Sequence, residues 1–289
     1  MRVYEKDNCV ILEDMTDFLP SHTFDCGQCF RWEMIDEETY VGVAFGKVIK
    51  VNFDSKNIVL ANTTISEYEN IWRDYFNIDN DYALIKNALS TDDTLKNAIN
   101  FGWGIRILNQ DVFECLISFI ISTQNAIPRI KKIVAKLSML FGEKVEYNGN
   151  DYYTFPTAQK LASLSLEDLE PLKAGYRAAY ILDAAKKVAS GEVDLYSLFD
   201  MTTSDAKKEL LKIKGVGPKV ADCVLLFSLK KYDAFPIDVW IGRVMKKFYL
   251  DENATMKQIE ACSKEKFKNL GGFAQQYLFY YARENKLLD

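Results

Sequence analysis

The chain has 289 residues, 48% of them apolar and 27% charged, a length for roughly two domains and a composition that excludes a disordered tail, a collagenous rod and a small disulfide-held scaffold. The net charge of −5 hides an asymmetry: residues 1–100 hold 9 Lys and Arg against 18 Asp and Glu, and the remainder 27 against 23, which allows an anion-binding surface in the second part. No apolar run has the length of a membrane span, and the charged start Met1-Arg2-Val3-Tyr4-Glu5-Lys6-Asp7 is unlike a signal peptide, so no membrane association and a cytoplasmic location are expected.

The first sixty residues read as β structure. Cys9 to Leu12 is a short apolar run, Tyr40 to Phe45 and Val48 to Phe53 are β-rich runs split by Gly46-Lys47, and Ile58 to Leu60 adds a further strand. From Ile65 the period changes to helical, with Ser66 and Glu69 at capping-box spacing ahead of Ile71, Trp72, Tyr75 and Phe76. Beyond residue 80 nearly everything reads as helix: Asp111–Thr123, Arg129–Phe141, Tyr176–Ser190, Ser204–Lys212, Lys219–Leu229, Asp238–Tyr249 and Ala274–Asn285. The expected class is α+β, an N-terminal antiparallel sheet domain over residues 1–100 followed by a mostly α-helical, two-lobed body over residues 101–289.

The sharpest local signal is Leu210-Leu211-Lys212-Ile213-Lys214-Gly215-Val216-Gly217-Pro218-Lys219-Val220-Ala221-Asp222-Cys223. One helix ends on apolar residues, two glycines permit positive φ so that the chain reverses, and Pro218 opens the next helix at a position where its missing N–H costs nothing. This is a helix–hairpin–helix, and its bare loop offers backbone N–H groups beside a helix N-terminus to a DNA phosphate. A plain αα-corner is the bland alternative, and the whole pattern favours DNA binding over it. Nineteen residues past Lys219, Asp238 precedes an apolar helical run, where its local role is an N-cap.

Together these residues resemble the helix–hairpin–helix and Gly/Pro-Asp signature of the DNA base-excision glycosylase superfamily. Lys219 matches the nucleophilic lysine of its bifunctional members and Asp238 their aspartate. Four further segments, in order, resemble the 8-oxoguanine DNA glycosylases, so that the chain reads as a prokaryotic member akin to the eukaryotic ones. These are Gly27-Gln28-Cys29-Phe30-Arg31-Trp32, the run Gln110 to Ile120, Gly175-Tyr176-Arg177-Ala178, and Gly272 to Phe279. The resemblance implies a monomer acting on double-stranded DNA that contains an oxidised purine. The damaged base, 8-oxoguanine opposite cytosine, is flipped into a pocket. Phe279 and Cys223 would lie against its two faces, Gln275 would bond its Watson–Crick edge, and the Gly27 carbonyl would accept the N7–H that guanine lacks.

By the same resemblance Lys219 would attack C1′ and form a Schiff base that permits β-elimination, with Asp238 orienting the amine or steadying positive charge on the sugar. Lys219 must be neutral to attack, a form favoured by the positive end of its own helix and by Lys212 and Lys214. Asn125 would fill the space left by the flipped base, Gln124, Arg129 and Arg177 would face the orphaned partner, and Tyr176 would wedge the stack. Gly215, Val216, Gly217 and Lys219 would form the phosphate-binding hairpin. No cofactor is required, although the carbonyls of Leu211, Ile213 and Val216 would suit a structural monovalent or divalent cation. The sequence departs from the eukaryotic pattern at Gln124, Ala126, Pro128 and Trp240.

Competing signals are weaker. Cys26-Gly27-Gln28-Cys29 has zinc-like spacing, but a closed zinc site takes four ligands, and the chain has one histidine, His22, and no second cysteine pair. No phosphate-binding Gly-x-x-x-x-Gly-Lys loop is present. Lys207-Lys208, Lys230-Lys231 and Lys246-Lys247 read as solvated faces or phosphate contacts. Two other functions stay open: a non-catalytic helix–hairpin–helix lesion-binding protein, which would not need Lys219 with Asp238, and a monofunctional alkyl-base glycosylase, which lacks that lysine.

Overall fold

The computed structural model describes residues 2–287. Its first part is a six-stranded antiparallel sheet built from β1 (Arg2–Lys6), β2 (Cys9–Glu13), β3 (Trp32–Asp36), β4 (Thr39–Ala44), β5 (Lys47–Asp54) and β6 (Asn57–Ala61), in the order β1-β2-β6-β5-β4-β3. Phe45 and Gly46 both adopt positive φ (50° and 74°), the geometry that a tight β4–β5 hairpin demands. The register sets Tyr40 against Val51 and Val10 against Leu60, so one face carries Val10, Leu12, Tyr40, Ile49, Val51 and Leu60 into a shared core. That core includes Phe24 and Trp32, stacked at 3.9 Å, and Trp72 and Phe76 from the helical stretch 65–76.

Two strands, β1 and β3, lie outside the sequence expectation. Both are edges with mostly exposed side chains, so neither carries the apolar alternation that marks a half-buried strand. The helical stretch after β6 is capped by Thr64, which accepts from the Glu67 N–H, rather than by Ser66 as the spacing predicts.

The second part holds ten helices of eight residues or more among the described residues: α1 (Tyr82–Leu89), α2 (Asp93–Phe101), α3 (Val112–Ser122), α4 (Ile127–Phe141), α5 (Arg177–Ala189), α6 (Thr203–Leu210), α7 (Pro218–Phe227), α8 (Val239–Phe248), α9 (Met256–Phe267) and α10 (Gly271–Glu284). One apolar core runs through all of them. Helices α1 and α2 belong to it, and α2 packs along α10, so the expected division near residue 100 falls after two helices that are integral to the helical body.

The near-continuous helix expected beyond residue 80 is broken by a hairpin, β7 (Lys144–Tyr147) and β8 (Asn150–Tyr153). Its turn is Asn148-Gly149, both at positive φ, a hairpin signal that the local polarity of the segment obscured. Val145, Tyr147 and Tyr152 of this hairpin cover Val41, Val43 and Val48, so the sheet is packed on its second face there.

Buried polar groups tie the two parts together. Arg31 pairs with Glu114 of α3 at 3.0 Å and also donates to the Tyr153 carbonyl. Arg106 is almost wholly buried and makes no ion pair among the described residues. Its guanidinium donates to the carbonyls of Asp17, Phe76, Asn77, Ile78 and Asn80 and lies over the Tyr82 ring. A buried arginine is tolerated when carbonyl dipoles replace its water. These bonds hold Arg31, which follows the loop 23–30, on the N-terminal end of α3 and set Asp17 and the segment 76–80 around Arg106.

Candidate active site and DNA-binding face

The hairpin folds as its residues dictate, with one refinement. Gly215 takes φ +87°, and a Cβ there would collide with the Tyr180 ring, so glycine is required both by conformation and by close approach. Gly217 is extended (φ −95°, ψ 179°) at the N-cap of α7, where a Cβ would meet open space. Only the first glycine is needed for the turn; the second leaves the loop bare. Pro218 then starts α7 and places Lys219 in its first turn.

Lys219 points into a cleft of about 1000 Å3, lined also by Gly27, Asn125, Asp238, Arg243, Phe279 and Arg283. Its Nζ lies 3.3 Å from Ser122 Oγ and 5.0 Å from the centre of the Phe119 ring. Ser122 gives its own proton to the Phe119 carbonyl (2.7 Å), which leaves an oxygen lone pair for the amine. Ser122, at the end of α3, thus holds the lysine, a contact with no motif to announce it.

Asp238 is the N-cap of α8, its Oδ1 accepting from the Ile241 N–H at 2.8 Å. The local role and the site role coincide, because the same cap points the carboxylate into the cleft wall beside Lys219. Burial pushes the Asp238 carboxyl up, opposed by backbone N–H bonds and by the Lys219 charge. Burial likewise pushes the Cys223 thiol up to about 12, so it is a neutral, soft wall. Lys212, next to the hairpin in sequence, is paired with Glu209 at 2.6 Å.

Behind Lys219 the cleft narrows to a recess of about 40 Å3 lined by Cys26, Gly27, Phe119, Cys223, Gln275 and Phe279 among others. Such a recess holds a water or so, not a purine. Admission of a base therefore requires its outer wall, Phe279, to move. Gln275 is 5% exposed and its Oε1 has no hydrogen-bond partner among the described residues, an orphaned acceptor at the recess. A buried amide oxygen without a partner costs about 1–3 kcal/mol, and is retained where a ligand satisfies it. Gly27, at φ +85°, sits where a Cβ would approach Phe279 within 3.2 Å and Arg283 within 3.3 Å.

Its motif neighbour Gln28 is wholly buried and holds the loop: the side chain donates to Thr23 and Arg106 carbonyls and accepts from the Leu108 N–H. Cys26 belongs to the helical core and Cys29 to the sheet core, so the zinc-like pair faces two different interiors.

Beside the hairpin, in a depression it shares with Gln124 and Gly215 to Gly217, Tyr176 is half exposed and donates to Gln124 Oε1, which stands on a left-handed residue (φ +48°). Asn125 Nδ2 donates back to the Ile121 carbonyl, and Arg129 to the Lys173 carbonyl. Arg177 is only 6% exposed. Its guanidinium bonds the carbonyls of Thr123, Gln124 and Ala174, so it shapes the loop that carries Gln124 and Asn125. Most of the paired lysines have carboxylate or carbonyl partners: Lys207 with Asp222, Lys208 with Asp205, Lys230 with Asp74, Lys231 with the Phe199 carbonyl and Lys247 with that of Leu287. Lys246, with Arg243, is the one that lines the cleft.

A cleft with a lysine in the first turn after a helix–hairpin–helix and an aspartate capping the next long helix has its counterpart in one known group. Residues 117–269 match the HhH-GPD superfamily of base-excision DNA repair proteins, and residues 10–116 match the N-terminal domain of 8-oxoguanine DNA glycosylases. The chain belongs to the HhH-GPD superfamily. Among curated relatives of this member, a probable N-glycosylase/DNA lyase of Methanothermobacter thermautotrophicus is 32% identical over 74% of this chain and 73% of its own length. An N-glycosylase/DNA lyase of Arabidopsis thaliana is 29% identical over 89% and 75%. Among solved structures, the 8-oxoguanine glycosylase/lyase of Clostridium acetobutylicum, in complex with double-stranded DNA containing cytosine opposite 8-oxoguanine, superposes with a TM-score of 0.96 at 44% identity over 99% of both chains.

Proposed function

We propose that this protein excises 8-oxoguanine lying opposite cytosine in duplex DNA and then cleaves the strand as an AP lyase. The observation that carries the reading is Lys219, held by Ser122 at the mouth of a recess whose wall contains Asp238 and the orphaned Gln275 oxygen.

The neutral Lys219 amine attacks C1′ of the flipped nucleotide. The bond from C1′ to the base breaks, the base leaves with its electron pair, and it takes up the proton that the amine gives up. The nitrogen lone pair then expels O4′, which takes a proton from water, so the sugar ring opens to a protonated Schiff base; water takes the C2′ proton, and the electron pair left behind expels the 3′ phosphate with its bonding electrons. Ionised Asp238 steadies the positive charge on C1′ before the new bond is complete. Gln275 meets the Watson–Crick edge, the Gly27 carbonyl accepts N7–H, and Phe279 and Cys223 sandwich the ring.

The hairpin at Gly215, Val216 and Gly217 takes a phosphate, and Lys246 and Arg243 supply charge along the cleft. Gln124, Arg129 and Tyr176 contact the orphaned base and the stack, Asn125 releases the Ile121 carbonyl to fill the hole, and Arg177 positions their loop. The carbonyls of Leu211, Ile213 and Val216 are neutral, hard oxygens without a carboxylate among them, a set that suits a monovalent rather than a divalent cation; Ile213 already accepts the Val216 N–H and keeps one lone pair. Such an ion would steady the hairpin and takes no part in the bond changes. The protein acts as a cytoplasmic monomer without a further cofactor.

Borohydride trapping on a duplex with one 8-oxoguanine opposite cytosine tests the reading. A covalent adduct is expected with the wild type and none with Lys219→Gln. Tight binding without an adduct or base release would replace it with the lesion-binding reading, and base release without an adduct with a monofunctional glycosylase.

A further inference from the structure

The last helix contributes more to the cleft and its recess than Gln275 and Phe279: Gln276 lines the recess and Arg283 the cleft just outside it. Two other residues of α10, Gln276 and Arg283, stand two turns apart on one face. Gln276 Nε2 donates to the Cys26 carbonyl at 2.8 Å and Arg283 Nη2 to the Asp25 carbonyl at 2.5 Å. Consecutive carbonyls of the loop that ends in Gly27 are thus clamped from the helix that also carries the base-facing residues. The next carbonyl along the chain is that of Gly27.

Arg283 has a second feature. Its Nε and Nη2 bond Glu284 at 2.8 and 2.7 Å, yet its Nη1 is buried with no partner among the described residues. That nitrogen lies 3.3 Å from the position of a Gly27 Cβ, beside Phe279, over whose ring the guanidinium stands at 5.4 Å. A charged donor left unbonded in a wall is expensive, and the expense is removed when an oxygen acceptor arrives. An oxidised purine seated with N7–H on the Gly27 carbonyl carries its C8 oxygen on the atom adjacent to N7, toward the same loop.

We infer that Arg283 is a further specificity-determining residue of the base pocket, donating from Nη1 to the exocyclic oxygen of the oxidised base while Nη2 holds the Gly27 loop in register. This rests on the functional reading above. The arginine sits one helical turn past Phe279, so the swing of that ring which opens the recess also uncovers the donor. Guanine has no C8 oxygen to offer and would leave the Nη1 donor unbonded. The contact therefore adds discrimination to that of the Gly27 carbonyl.

The test compares wild type, Arg283→Met and Arg283→Lys in two single-turnover assays: excision of 8-oxoguanine opposite cytosine, and strand cleavage at a preformed abasic site opposite cytosine. The abasic duplex has the same phosphates and no base. Loss of a charged hydrogen bond to the base predicts a fall of about 10- to 100-fold in excision for Arg283→Met, with abasic cleavage within about twofold of wild type. Arg283→Lys, which keeps a donor and a charge, should recover part of the excision rate. Unchanged excision in Arg283→Met overturns the inference, as does an equal fall in both assays without rescue by lysine, which marks a role in the fold or on a phosphate. A wild type that cleaves abasic DNA but leaves 8-oxoguanine in place overturns the substrate reading and this inference with it.

Discussion

Gln275 separates stability from function in opposite directions. Its Oε1 is buried and unpartnered, so the folded protein carries the desolvation of an acceptor, about 1–3 kcal/mol. Gln275→Leu keeps the volume nearly unchanged and removes that acceptor. The variant should therefore be more stable by about 1–3 kcal/mol, a rise of roughly 2–12 °C in melting temperature at the usual 2–4 °C per kcal/mol for a chain of this size. The same change strips the recess of its amide. A base edge then enters without its partner, and single-turnover excision of 8-oxoguanine should fall by about 5- to 150-fold, the kinetic equivalent of that free energy. Cleavage at an abasic site, with no edge to bond, should be unaffected. Thermal denaturation and the two single-turnover assays on one preparation decide the matter. A variant that melts lower, or excises at the wild-type rate, refutes the argument that the orphaned oxygen is held ready for the base.

The two hairpin glycines should part company. Gly215→Ala is expected to lose about 2 kcal/mol or more in chemical denaturation, from positive φ and collision with Tyr180. Gly217→Ala should fold within about 0.5 kcal/mol of wild type, since its backbone is extended and its surroundings open, yet bind duplex DNA more weakly because a methyl group stands where phosphate approaches. Equal stability of the two variants would contradict the geometry. For Asp238, burial raises the carboxyl, so its charge is lost on acidification at a higher pH than that of an ordinary carboxylate near ~3.9. The acid limb of the excision profile should sit above that value and vanish in Asp238→Asn. Stability has the reverse sign: between the two values the native state holds the proton that the unfolded chain has released, so this group's contribution improves as pH falls while activity declines.

Local chemistry made much of the site legible before any coordinates. The reversal at Gly215, the helix start at Pro218 and the cap at Asp238 are each readable from residues within about four positions, and the segments around Gly27, Tyr176 and Phe279 carry a resemblance in a consistent order. Edge strands β1 and β3 were invisible because their outward faces are polar. The β7–β8 hairpin was passed over although Asn148-Gly149 marks its turn, since the flanking residues are mostly charged and aromatic.

Other features have no sequence signal at all. The lysine pairs read as solvated faces or phosphate contacts in a linear reading, and the fold places an aspartate or a carbonyl beside most of them. Arg177 reads as a base-facing donor and is engaged by the loop it supports. Ser122 beside Lys219 spans 97 positions, and Arg283 on the Asp25 carbonyl spans 258. Hydrogen bonds of that separation depend on how helices pack, and packing is settled by volume and shape across the whole core rather than by any neighbouring residue. The chain's own order determined which groups do chemistry. Which of them reach the recess, and what holds them there, was decided only when α3, α7, α8 and α10 closed around it.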